Sequence, residues 1–194
     1  MSGADRAEAM ARRLGRTAVR AGIDPEGTGL LVDAFRSAME PRRARIAEDH
    51  HPDYLHPART MLILMDDASV TDPGVLATAA FAETRDRELA APEAAIGAVD
   101  PALPGRVAAI PLPDRAGDRR LEELLALPEG LAQVAVAERL DHARHLHLRD
   151  RGEWAPYHAV TCEVYAPVAV RVQEALASRI AWWCATFPDR FLGG

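Results

Sequence analysis

Hydrophobic positions recur at helical spacing over most of the chain. Within residues 5–21, Ala7, Met10, Leu14, Ala18 and Ala21 fall three or four apart, which predicts an amphipathic helix closed by Gly22, with a turn at Asp24-Pro25. Residues 28–48 predict a second helix with Leu30, Leu31, Ala34, Ala38 and Ile46 on one side. A kink or break is expected near Glu40, because Pro41 lacks an amide hydrogen and crowds the preceding turn. A turn-rich run from His50 to Leu55 leads to a third helix over 56–65, where Pro57 suits a first-turn position. Asp72-Pro73 caps a fourth over 74–84, whose apolar residues wrap much of the circumference and mark it as buried. The proline-rich stretch 91–117 is the least regular and holds one short helix, 92–99. Helices over 119–127 and 131–149 follow, and a last helical region spans 156–187 with an interruption near Pro167. No segment alternates with the period of a strand. The expected fold class is all-α, a helical bundle in a single domain over 1–194. It divides into N-terminal helices in 1–49, a core region in 50–151 and C-terminal helices in 156–187, where Trp182, Trp183 and Phe187 close the core or, for the tryptophans, a dimer surface.

Composition narrows the chemistry. All 23 basic residues are arginine, and the 194-residue chain has no lysine and no asparagine. A phosphate-binding P-loop, Schiff-base catalysis and pyridoxal-phosphate attachment each need a lysine, and N-glycosylation needs an asparagine, so all four are excluded. The net charge of −6, with arginines spread along the chain, argues against nucleic-acid binding. Cys162 and Cys184 do not make a disulfide framework and read as buried apolar fillers. No apolar run approaches the roughly 18 residues of a membrane span, and charges run through the first 14 residues, so a soluble cytoplasmic protein without membrane partners is expected.

The histidines are grouped: His50, His51 and His56 in one place, His142, His145, His147 and His158 in another. Acids gather at Asp66-Asp67, Glu83, Asp86 and Glu138–Asp141. Facing helices of a bundle can bring such groups together. Glu138 and His142 are four residues apart and share a helix face, as do His142 and His145.

Three segments carry a resemblance: His56-Pro57 at a helix start, the run from Asp72-Pro73 through Ala82-Glu83-Thr84, and Val136-Ala137-Glu138-Arg139-Leu140-Asp141-His142-Ala143-Arg144. Over roughly residues 50–149 the chain resembles the HD-domain metal-dependent phosphohydrolases, nearest the branch that hydrolyses guanosine tetra- and pentaphosphate alarmones. That branch has a His-Pro helix start, Ala-Leu-Leu-His-Asp-Thr-Val-Glu-Asp, and Leu-Ala-Asp-Arg-Leu-x-Asn-x-Arg. The resemblance implies an HD-like core and a divalent metal (manganese, iron or zinc). Its ligands would be His56, Glu83 and Glu138, with His142 supplying a further nitrogen. Asp86 matches a water-activating carboxylate. Arg45 matches a base-stacking arginine and Arg144 a retained one, while Arg59 and His51, on the helix and loop at the site mouth, would contact phosphate. A phosphorylated small molecule or nucleotide is the implied partner, and a homodimer is compatible.

The departures bear on activity. Ala82 stands where the family has its second histidine, Glu83 and Glu138 replace aspartates, Arg87 replaces the second carboxylate of the water-activating pair, and His142 replaces the asparagine. Two readings follow. In the first, the metal site is eroded, the family's usual phosphohydrolase activity is lost and a nucleotide or phosphate pocket remains. In the second, a rebuilt His/Glu site holds a metal and hydrolyses a phosphorylated small molecule, with Asp86 as general base.

Overall fold

Helix α1 (Gly3–Arg20) buries Ala7, Ala11, Leu14, Thr17 and Ala18 along one stripe, and Gly22, in the left-handed region at φ 82°, turns the chain out of it. The computed structural model describes residues 3–48, 50–111 and 119–193, and every regular element among them is helical. Helix α2 (Pro25–Arg45) starts three residues before the pattern predicted, because Asp24 caps it by accepting the amide of Gly27 at 2.7 Å. It does not break at Glu40. The turn past Pro41 is held by Arg42, which is buried and donates to the carbonyls of Ala38, Asp53 and Leu89, so tertiary contacts override the proline.

Helix α3 (His56–Asp66) and α4 (Pro73–Phe81) follow their predicted spans closely at their starts; α4 is capped by Asp72, whose carboxylate accepts the Val75 amide at 3.0 Å. α4 ends at Phe81, three residues sooner than the apolar pattern suggested. The proline-rich stretch holds two short helices, α5 (Glu93–Val99) and α6 (Leu103–Ala108), the second unforeseen; its continuation through 112–118 lies outside the described residues. Helix α7 (Arg119–Ala126) leads into α8 (Glu129–His145), in which every residue from 131 to 143 is buried. Helix α9 (Trp154–Val160) passes through a π-turn, Thr161–Tyr165, into α10 (Ala166–Val172), and α11 (Glu174–Phe187) follows. Pro167 sits harmlessly in the first turn of α10. The break falls at Gln173, whose backbone is extended and whose side-chain amide donates to the carbonyl of Ala68 at 3.0 Å.

α8 is the axis of the bundle, packed against α3, α4, α10 and α11, and one hydrophobic core extends from α1 to α11. A smaller aromatic core gathers Trp154, Trp183 and Phe187, whereas Trp182 is 58 % exposed. Two glycines let α4 approach its neighbours: a Cβ on Gly27 of α2 would meet Pro73 at 2.6 Å, and one on Gly130 of α8 would meet Val75 at 2.6 Å. Cys162 and Cys184 are not buried fillers. They are half-buried and joined as a disulfide, because the π-turn brings residue 162 against α11. Among the described residues no helix is long and apolar enough to cross a membrane.

Candidate functional site

The core of this bundle is not apolar where α3, α8 and the end of α4 meet. His56, at the first position of α3, is fully buried, and its Nδ1–H donates to Asp141 Oδ2 at 2.7 Å. Nε2 faces the carbonyl of Ala82 at 3.4 Å, a group that can only accept. The ring stacks on that of His142, centroids 4.2 Å apart and planes 21° from parallel.

Glu83 reaches the same place because α4 ends at Phe81 and the chain then runs extended through Ala82. Its Oε1 accepts the amides of Arg85 and Asp86 at 3.1 and 3.0 Å, and its Oε2 accepts Nη2 of Arg42 at 2.6 Å, with both side chains only 2 % exposed. Burial pushes the Glu83 carboxyl up, but His142, His56 and Arg42 outweigh it and hold the group well below the ordinary carboxylate range.

α8 supplies the rest from one face. Glu138 Oε1 accepts the amide and hydroxyl of Thr84 at 3.1 and 2.7 Å and stands 3.2 Å from His142 Nε2. His142 Nε2 is also 3.6 Å from Glu83, and Nδ1 is 3.7 Å from Asp53. Burial alone would lower the His142 pKa; Glu138 and Glu83 reverse that and raise it to about 10, so the ring is a cation at neutral pH. Even so, its Nε2 is buried without a hydrogen bond of good geometry. Asp141 takes a two-pronged contact from Arg59, at 2.7 and 2.8 Å, beside the one from His56. Burial raises the Asp141 carboxyl, and His56 and Arg59 more than reverse this. Asp53 is paired with Arg149. Arg42, Arg59, Arg149 and His142 thus face the carboxylates Asp53, Glu83, Glu138 and Asp141.

The sequence-predicted residues divide. His56, Glu83, Glu138 and His142 meet in one buried cluster, and one donor atom from each of His56, Glu83 and His142 lies within 4.8 Å of the others. This buried group could hold a metal ion. Glu138 flanks it, tied to Thr84 and His142. Asp86 is exposed and its carboxylate caps a short turn by accepting the Glu88 amide at 2.9 Å. Arg45 is exposed and paired with Glu88 at 2.6 Å. His51 Nδ1 accepts the Asp53 amide at 3.2 Å and so shapes the turn that delivers Asp53 to His142. Arg59 and Arg144 line one cavity of about 540 Å³ beside Asp141, together with Arg13, His145 and Arg179. Arg144 and Arg179 share the carboxylate of Asp67, at 3.4 and 2.8 Å.

Arg42, Asp53, Asp141 and Arg149 escaped the sequence reading. Asp141 had a usable signal, since it lies three residues from Glu138 and so on the same helix face. Arg42 had none: in a chain with 23 arginines a buried one looks like the rest. Compared with known proteins, the chain matches no family model and no curated protein.

Proposed function

We propose that this chain is a divergent HD-type protein in which the buried polar cluster serves the architecture rather than phosphate-ester hydrolysis, and in which the arginine-lined cavity takes a phosphorylated small molecule or nucleotide. The observation that carries this reading is the Arg42–Glu83 pair at 2.6 Å. A guanidinium there neutralises the carboxylate that the resemblance would give to a metal. Asp141 and Asp53 are paired in the same way, with Arg59 and Arg149, Glu138 is tied to Thr84 and His142, and Asp86, the water-activating candidate, points its carboxylate at a backbone amide. The cavity beside the cluster sets Arg13, Arg59, Arg144 and Arg179 against Asp66, Asp67 and Asp141, which leaves positive charge for an anion.

A specific pair of observations favours the second reading. Asp141 orients His56 as second-layer carboxylates orient metal-binding histidines, and His142 Nε2 is a buried nitrogen without a good partner. Two imidazoles and a carboxylate suit manganese, iron or zinc, with His56, Glu83 and His142 as the holders. A metal bound there would acidify a water and polarise a phosphoryl oxygen. For it to enter, His142 has to give up its proton and Glu83 has to share its charge with Arg42.

Metal content and phosphate release from a nucleotide panel with added manganese separate the two. The first reading expects metal far below one equivalent, no phosphate release, and a nucleotide-dependent rise in Tm that Arg144→Ala diminishes. Turnover that disappears in His56→Ala overturns it in favour of the second.

A further inference from the structure

The disulfide is not alone: His158, one helical turn before Cys162, places its Nε2 3.4 Å from Cys162 Sγ and 2.8 Å from the carbonyl of Cys184. One donor atom each from His158, Cys162 and Cys184 lies within 4.8 Å of the others, and all three residues are half-buried. We propose that these residues form a metal site for a zinc-like cation when the disulfide is reduced, and that the disulfide is the oxidised, metal-free form of the same site.

The fold supplies the geometry. His158 comes from α9, Cys162 from the π-turn that follows and Cys184 from α11, so two packed helical segments contribute to one point. π-Turns widen a helix locally and recur at functional positions. The ring of His158 is held in place by Trp183 and Phe187, centroids 5.4 and 6.1 Å away. Two thiolates and an imidazole are the donor set that zinc favours, and half-burial leaves room for a fourth ligand such as water. This set shares no residue with the His56 cluster, whose donors are nitrogen and oxygen only.

A water-soluble phosphine attacks the disulfide, the S–S bond breaks, and water delivers an oxygen to phosphorus, so that one phosphine oxide and two thiols result. The cation then replaces the two thiol protons, which leave to solvent. In the oxidised form His158 Nε2–H donates to the Cys184 carbonyl. For ligation the ring carries its proton on Nδ1 instead, with no change of charge.

Cobalt(II) is the probe, because thiolate-to-cobalt charge-transfer absorption reports sulfur ligands and is silent for the His56 cluster. Phosphine-reduced protein titrated with cobalt should develop this absorption, saturating at one equivalent, and zinc should abolish it by displacement. The oxidised protein should not develop it. Cys162→Ser and Cys184→Ser should each remove most of the absorption, and His158→Gln should weaken cobalt binding at least tenfold. Under reducing conditions zinc should also raise the Tm, as a ligand of the folded state must. The proposal is overturned if reduced protein binds cobalt without thiolate absorption, if His158→Gln leaves the affinity unchanged, or if zinc lowers the Tm, which would mean that it binds the unfolded chain.

Discussion

Replacing Arg42 alone strands the Glu83 carboxylate, whose side chain is only 2 % exposed, without its cationic partner. Arg42→Met should therefore cost about 3–5 kcal/mol in urea unfolding, whereas Arg42→Met with Glu83→Leu should cost less than the single change. A double variant no more stable than the single one would show that the pair is not what holds this region. The same cluster sets a pH dependence. His142 has its pKa raised to about 10, so its charge stabilises the fold fully below the ordinary histidine value and that contribution drains away as pH rises toward 10. Glu83 and Asp141, held below the ordinary carboxylate range, contribute above that range and lose their contribution as pH falls beneath it. The Tm should fall between about pH 7 and 10 in the wild type. In His142→Gln that alkaline decline should flatten; an unchanged decline would assign it to other groups.

Helices meet closely at two glycines, and the closeness positions the site. With a Cβ at residue 130 only 2.6 Å from Val75, Gly130→Ala should push α8 from α4 and cost about 1–3 kcal/mol. Adding Val75→Ala should recover most of the loss, and a failure to recover would mean that backbone rather than the valine sets the spacing. Gly27→Ala should be harsher, since its neighbour is the stiff ring of Pro73. Most helices were legible from apolar spacing and caps, because α1 shows one buried stripe and Asp72-Pro73 starts α4 as capping chemistry requires. The misses have physical causes. Pro41 promised a break that the buried hydrogen bonds of Arg42 prevent, and Gln173 ends a helix where no proline or glycine announces it. The meeting of His56, Glu83, Glu138 and His142 was legible through motif resemblance and the four-residue spacing on α8. Their partners were not, because Asp53, Arg42 and Arg149 join the cluster only through tertiary contacts spanning up to 96 positions.

Across the whole molecule, two devices tie distant segments together. The disulfide closes a loop of 22 positions around α10 and most of α11, and Cys162→Ser with Cys184→Ser should lower stability by about 3 kcal/mol in the absence of metal. Equal unfolding midpoints for that variant and the oxidised wild type would show that the link constrains little. The ion-pair cluster is the second device, joining α2, the turn before α3, the end of α4 and α8 through buried charged side chains. A buried pair of this kind also restricts how the chain evolves. Loss of either Arg42 or Glu83 leaves the other as an uncompensated charge, so every path that exchanges both passes through a less stable intermediate. Descendants of this chain should therefore keep the two residues together or lose them together, and a coupled substitution pattern between positions 41 residues apart is the mark the pair would leave in their sequences.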